Sequence, residues 1–239
     1  MKSIILVGGY ATRMGNLTKN FPKALLKIKE KTVLDLILER IILDNSIIDE
    51  YILVTNDTFY QDFINWKKST NYQNKITIIS DGSTSNSNKI GAASAIIKTI
   101  KELKIEDDIF ILAGDNLIDF SLQYIFDLYM NTNDSYIMYY QEDNLDKLKK
   151  TGVITLEDDM VIEFQEKPKE PKTNYAVPPF YFLRKKDIKL LLDLFQVKEK
   201  VDSMGEIIKL LCNQTRIKGI KMKGNRYDIG SIEEYQKLL

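Results

Sequence analysis

Apolar positions along this 239-residue chain follow two rhythms. The run at 4–7 has the length and composition of a strand buried on both faces, and the mainly apolar runs at 51–55, 76–79 and 108–113 read as further strands. Between them apolar residues recur at steps of three and four: Leu34, Ile37, Leu38 and Ile41; Ala93, Ile96, Ile97 and Ile100; Leu122, Ile125, Phe126 and Tyr129. That spacing puts each set on one face of a helix. The predicted helices run from a capping box at Thr32-Val33-Leu34-Asp35 to about Leu43, near 58–68, from 90 to about 103, and from Ser121. Strand and helix in alternation predict a parallel sheet with right-handed crossovers.

The rhythm changes after about residue 132. Residues 135–140 are strand-like, and 153–156 and 161–165 alternate around Asp158-Asp159 as in a hairpin. Residues 175–183 are extended but interrupted by Pro178-Pro179. Ile188, Leu191, Leu192 and Phe195 mark a helix, and Ser203-x-x-Glu206 is predicted to begin another. Strands at 217–222 and 227–229 and a helix capped by Ser231-x-x-Glu234 close the chain. The expected fold is α/β, a Rossmann-like mixed and mainly parallel sheet flanked by helices, with a smaller β-rich half. No repeat or linker appears, so 1–239 reads as one domain with halves at about 1–132 and 133–239.

The rest of the chain is organised around residues 1–28, MKSIILVGGYATRMGNLTKNFPKALLKI. Gly8-Gly9 stops the first strand and opens a loop holding Thr12, Arg13, Thr18 and Lys23, after which the strand is expected to resume at 24–28. A glycine turn after a buried strand lets backbone N–H groups approach an anion, and Arg13 and Lys23 add positive charge. A phosphate-binding loop and an ordinary turn with solvated basic residues both satisfy these residues. No Gly-Lys-Ser/Thr follows, and Ala11 and Arg13 stand where a dinucleotide fingerprint needs glycines. The compact polar loop at 80–88, bracketed by ordered elements, reads as a binding loop.

Composition narrows the chemistry. Lys plus Arg and Asp plus Glu are 34 each, so overall charge gives no reason to expect nucleic acid. No run approaches the ~18 apolar residues of a membrane span, and residues 1–3 lead straight into a strand without a signal-peptide pattern. A soluble, cytoplasmic protein is expected, with a homo-oligomer left open. The chain has no histidine, and Cys212 is its only cysteine. Ser-His-Asp triads, Cys-His dyads and Cys/His zinc sites are therefore excluded. Cys212 reads as packing at a helix end. Chemistry must rest on carboxylates, Lys, Arg, hydroxyls and hard oxygen-bound metals, for which magnesium is the natural candidate.

The run Gly8-Gly9-Tyr10-Ala11-Thr12-Arg13-Met14, then Leu17-Thr18, then Pro22-Lys23-Ala24-Leu25-Leu26 resembles the N-terminal signature of sugar-1-phosphate nucleotidyltransferases, departing from it at Ala11 and Asn16. Later segments resemble the same family in order: Ala113-Gly114-Asp115-Asn116, Gly152-Val153, Glu163-Phe164-Gln165-Glu166-Lys167-Pro168, and Tyr227-Asp228-Ile229-Gly230-Ser231. The resemblance implies a nucleotide-binding first half and a sugar-phosphate-binding second half. It implies that Arg13 holds the leaving pyrophosphate and Lys23 the α-phosphate, with Gly8, Gly9, Asn86 and Gly91 around the nucleotide. Asn86 stands where thymidylyl- and uridylyltransferases carry a base-reading Gln. Asn116, Gly152, Glu166, Lys167, Val177 and Tyr181 are implied for the sugar phosphate, and Asp115 and Asp228 for magnesium. The implied partners are a nucleoside triphosphate, dTTP or UTP in preference, and a sugar 1-phosphate. Pro178-Pro179 replaces a Thr-Gly-type pair of the family, so the acceptor pocket is expected to differ. The C-terminal β-helix of some relatives is expected to be absent. A cytidylyl- or other nucleotidyltransferase with a different acceptor, and a catalytically silent nucleotide-sugar sensor, are the alternatives.

Overall fold

The computed structural model describes residues 1–10, 14, 21–44, 47–195 and 202–239. The readings placed on Ala11, Thr12, Arg13, Asn16 and Thr18 lie outside the described residues. Two compact units divide the chain: Met1–Lys89 with Leu112–Tyr124 and Gly224–Leu239, and Ile90–Ile111 with Ile125–Lys223.

In the first unit, strand β1 (Lys2–Leu6) is followed by two short strands, β2 (Lys27–Ile28) and β3 (Lys31–Thr32), helix α1 (Val33–Asp44), β4 (Glu50–Thr55), α2 (Tyr60–Ser69) and β5 (Ile76–Ser80). Strand β4 lies parallel to β1 on one side and β5 on the other, with Ile4 opposite Ile52 and Leu53 opposite Ile78. The apolar helix face predicted for α1 is buried, and Ile4, Ile5, Ile52, Leu53 and Phe63 complete the core. The capping box forms: the Asp35 carboxylate accepts from Thr32 N–H at 2.9 Å and Asp35 N–H donates to Thr32 Oγ1 at 3.0 Å. The other oxygen of Asp35 accepts from Trp66, the chain's only tryptophan, at 3.1 Å, tying α2 to α1.

The expected strand at 24–28 is met only at Lys27–Ile28, which pair with β3. Pro22 instead opens a 3-10 turn over Lys23–Leu25, with Leu25 and Leu26 N–H donating to Pro22 and Lys23 carbonyls. A tight turn buries Ala24, Leu25 and Leu26 without needing a neighbouring strand. The chain re-enters this unit within β6 (Ile109–Ala113), which lies beside β1. A ribbon follows, β7 (Asn116–Ile118) paired antiparallel with β14 (Arg226–Asp228), so that Asp228 faces Asn116. Helix α8 (Ile232–Gln236) is capped by Ser231 as predicted.

The second unit opens with α3 (Ala92–Glu102), which runs toward β6, and resumes in α4 (Gln123–Met130). Then come β8 (Ser135–Gln141), α5 (Leu145–Leu148), β9 (Gly152–Glu157), β10 (Met160–Glu166), β11 (Tyr175–Val177), β12 (Phe180–Leu183), α6 (Lys185–Phe195), α7 (Gly205–Leu211) and β13 (Ile217–Lys221). Strands β9 and β10 form the expected hairpin, and positive φ at both Asp158 and Asp159 suits a two-residue turn. Pairings β8–β11–β9–β10–β13–β8 close on themselves, which removes free edges from this β-rich part. Only β13–β8 among these pairings is parallel, so the fold is mixed α/β with its parallel character in the first unit. Phe110, Phe126, Phe180, Phe182 and Tyr129 form an aromatic core, with Phe110 stacked on Phe182 at 4.3 Å between centroids.

The capping box predicted at Ser203 is not formed. The residue ahead of α7 is Met204, Glu206 N–H reaches the Ser203 backbone carbonyl, and buried Ser203 Oγ has no partner among the described residues. Cys212 ends α7, half-buried, and burial pushes its thiol pKa up, as expected of a packing cysteine rather than a nucleophile. Among the described residues no helix is long and apolar enough to cross a membrane.

Candidate functional site

In the first unit the loop after β1 begins at Val7, whose N–H still bonds to Val54. Gly8 is a close-approach glycine: a Cβ there would meet the backbone of Thr55 and Asn56 at 2.9 Å. Asn56 locks the contact by donating its amide to the Gly8 carbonyl at 2.8 Å. Gly9 has open space where a side chain would be and is exposed. Gly8 is thus accounted for by packing, and Gly9 is the glycine available to an incoming ligand.

Lys23 starts the 3-10 turn and reaches Asp115, at the end of β6, with 2.5 Å between Nζ and Oδ2. Asn116 donates to the other oxygen of Asp115, also at 2.5 Å. Burial alone would push the Asp115 carboxyl pKa up. The Lys23 ammonium, with help from Asn116 and the Arg226 charge, outweighs burial and holds it below 3.8, its ordinary value. Across the ribbon Ile229 N–H donates to the Asp115 carbonyl at 2.9 Å, which sets Asp228 beside Asp115 in the fold. Residues 226 and 228 share one face of β14, as alternate residues of a strand must. The Arg226 guanidinium accordingly meets Asp228 Oδ2 at 3.3 Å and donates to the Asn116 side-chain oxygen. Asn116, assigned by resemblance to the sugar phosphate, sits buried in this cluster with both ends of its amide engaged.

Arg226 was not singled out in the sequence, where it reads as one basic residue after Gly224-Asn225. Its signal was period two: a cation two residues before a candidate carboxylate on a short strand.

The polar loop at 80–88 is built rather than solvated slack. Ser83 is buried, and its N–H and Oγ both donate to Asp81 at 2.7 Å. Tyr10 donates to Ser83 Oγ at 3.3 Å, and Asp57 N–H to the Ser83 carbonyl at 2.9 Å, joining the loops after β1, β4 and β5. Asn88 gathers the tip: its oxygen accepts from the N–H groups of Thr84 and Ser85, and its NH₂ donates to Thr84 Oγ1. Asn86 is exposed on that fixed turn.

The second unit groups Gly152, Glu166, Val177, Tyr181 and Lys167. Gly152 faces Glu166 on β10 and Val177 on β11, while Tyr181 lies buried on β12. Burial and then the Glu166 carboxylate push the Tyr181 phenol far above its ordinary pKa, which marks the two groups as neighbours. Val177 is buried, so its side chain serves the core. The Phe164 ring fills the space where side chains at Gly152 and Gly205 would lie, at 2.4 and 2.6 Å. A Cβ on Gly205 would also meet Glu166 Oε2 at 2.2 Å, so the bare backbone of α7 makes room for that carboxylate. Lys167 takes φ 46°, unusual for a residue with a side chain, and its exposed ammonium stands 3.6 Å from Glu166. Gly91, at φ 90°, is the N-cap of α3, a conformation that requires glycine.

Among the described residues no three acidic or sulfur ligands come together to cage a metal. Magnesium does not need such a cage, since it keeps several waters and binds through one or two carboxylates plus substrate phosphates. Asp115 and Asp228 are an all-oxygen pair of that kind, and Lys23 beside Asp115 favours the ionised form of that carboxylate. The donor set therefore fits magnesium.

A family model described as "Nucleotidyl transferase" matches residues 2–238. The "Bifunctional protein GlmU" of Methanococcus aeolicus is 29% identical over 231 residues, covering 96% of this chain and 51% of that protein. The chain thus spans about half the length of that relative. Among solved structures, a Bacillus anthracis chain assigned as a glucose-1-phosphate thymidylyltransferase, crystallised with sucrose, superposes with TM-score 0.85 at 21% identity, covering 100% of this chain and 93% of that one. A UDP-glucose pyrophosphorylase with bound UDP-glucose superposes with TM-score 0.81 at 22% identity, covering 99% and 96%.

Proposed function

Because the chain belongs to the nucleotidyl transferase family, we propose that it joins a nucleoside monophosphate to a sugar 1-phosphate. The donor is a nucleoside triphosphate, dTTP or UTP in preference, and the products are a nucleotide sugar and pyrophosphate. The observation that carries this reading is the Lys23–Asp115 contact at 2.5 Å beside Asp228, in a chain with no histidine. A sugar phosphate is already an anionic nucleophile, so in-line attack on the α-phosphorus needs no general base. It needs cations that offset phosphate repulsion and leaving-group charge in a cleft poor in water. Lys23 serves the α-phosphate, Arg13 the departing pyrophosphate and Lys167 the sugar phosphate. Magnesium held by Asp115 and Asp228 would supply further charge neutralisation at the phosphates. The exposed Gly9 backbone leaves room for the triphosphate, and Glu166 accepts from sugar hydroxyls. The protein works in the cytoplasm.

A pyrophosphate-release screen over nucleotides and sugar phosphates tests the proposal. Release with at least one pair is expected, and none with any pair overturns it. Lys167→Ala is expected to raise the KM for sugar phosphate several-fold more than the KM for nucleotide. An equal rise in both would remove the assignment of separate phosphate sites.

The base preference rests on Asn86. Its amide offers one acceptor and one donor, matching a carbonyl and the N3–H of uracil or thymine. An amide can turn over to meet cytosine, so backbone groups of the loop at 83–91 must supply the rest of the discrimination. A mismatched buried polar group costs roughly 1–3 kcal/mol, and ~1.4 kcal/mol is tenfold. UTP or dTTP should therefore exceed CTP in kcat/KM by at least about tenfold. Asn86→Ala should erode that ratio, and equal values in the unmodified protein would sink the idea.

A further inference from the structure

Each carboxylate of the first unit's cluster already holds a cation from the chain itself: Lys23 on Asp115 at 2.5 Å and Arg226 on Asp228 at 3.3 Å. Among the described residues two negative charges meet two positive ones, so each carboxylate carries a counter-charge before any metal arrives. The Lys23, Asp115 and Arg226 side chains are only 15%, 27% and 17% exposed, which leaves water little part in screening the Lys23–Asp115 pair, while Asp228 is 50% exposed and its pairing with Arg226 is screened more. Arg226 is also fixed to Asn116, the residue that grips the second oxygen of Asp115. One guanidinium therefore bears on both carboxylates, on Asp228 directly and on Asp115 through Asn116.

Resting on the proposed metal role of Asp115 and Asp228, we infer that Lys23 and Arg226 are internal counter-ions that hold metal affinity down until an anionic substrate draws them away. A divalent cation alone must displace an ammonium and a guanidinium from its own ligands. A polyphosphate offers those two cations a new partner and frees the carboxylates, so metal and polyphosphate favour each other's binding. By linkage that coupling is reciprocal. The arrangement gives Arg226 a positioning role that no motif in the chain announces. It also gives Lys23 a second role, distinct from contact with the nucleotide.

The test measures Mn²⁺ binding to the full chain by electron spin resonance of the free ion, with no nucleotide present. Partners adjacent to metal ligands typically change metal affinity about ten- to a hundredfold. Here the sign is reversed: Lys23→Met and Arg226→Met are each expected to bind Mn²⁺ about tenfold or more tighter than the unmodified chain. Adding Asp115→Asn to Lys23→Met should cancel the gain. Pyrophosphate should tighten Mn²⁺ binding to the unmodified chain more than to either variant. Lys23→Gln and Arg226→Gln keep a neutral donor in place and serve if a Met variant fails to fold. Unchanged or weaker Mn²⁺ binding in the folded variants overturns the inference, as does a gain that survives Asp115→Asn. A chain that passes these tests yet releases no pyrophosphate with any substrate pair overturns the proposed activity and leaves the counter-ion role standing.

Discussion

Asp115→Ala and Asp228→Ala are each expected to lower turnover by at least about a hundredfold, the scale seen when one preorganised electrostatic contact to a transition state is lost. Both carboxylates sit at element ends, Asp115 beyond β6 and Asp228 at the close of β14, and neither side chain fills the apolar core. Ribbon pairing at those positions runs through backbone groups, including the Ile229 N–H to Asp115 carbonyl bond, which alanine keeps. Far-UV circular dichroism should therefore stay close to that of the unmodified chain. The melting temperature should hold for Asp228→Ala, whose side chain is half exposed, and fall for Asp115→Ala, which leaves the Lys23 ammonium without its partner. Turnover is to be followed as pyrophosphate release with magnesium made limiting. Near-normal turnover in either folded variant would remove that residue from the metal site.

Arg184→Met should cost stability rather than chemistry, by about 3–5 kcal/mol, because it leaves a part-buried carboxylate and two carbonyls without their charged donor at roughly 1–3 kcal/mol each. Arg184 lies between β12 and α6 in the second unit. Its guanidinium donates to Asp108 at 2.8 Å and to the carbonyls of Tyr129 and Thr132, and lies 3.4 Å from the centroid of the Tyr129 ring. Its backbone N–H adds a bond to Ser135 at 2.9 Å. Methionine fills much of the volume but leaves the Asp108 carboxylate and two carbonyls short of donors. At about 2–4 °C per kcal/mol for a chain of this size, the melting temperature should fall by roughly 6–20 °C. Arg184→Lys should recover less than half of the loss, because one ammonium cannot span three acceptors and stack on a ring. A fall under about 3 °C for the methionine variant would show that the network is not a stability centre.

The local signals were legible because they arise from near neighbours in sequence. The capping box at Thr32 and Asp35, the helix face of Leu34, Ile37, Leu38 and Ile41, and the Asp158-Asp159 hairpin each need only a few residues to declare themselves. The same holds for the runs of β1 and β4, which lie inside the sheet, whereas β5 is an edge strand buried on one face only. The failures fall where two local solutions bury the same residues. Residues 24–26 could be strand or turn, and Pro22 with the demands of α1 packing selected the turn, leaving only Lys27–Ile28 as strand. Ser203 had the right spacing for a cap, but the backbone reached Met204 in helical conformation and left the hydroxyl without a partner among the described residues.

The sequence by itself determined the α/β class, most elements and the types of side chain on which the chemistry must rest. Its lack of histidine and its single cysteine removed whole classes of mechanism without any coordinates. Only the tertiary structure decided which charges meet. Lys23 pairs with Asp115 across 92 intervening sequence steps, and Arg226 reaches Asn116 across 110, because a parallel sheet and a short ribbon bring their ends together. Gly205 makes room for Glu166 for the same reason, through the packing of α7 on β10. Charge and contact depend on distance in space, and the chain's local pattern carries no measure of distance between residues so far apart.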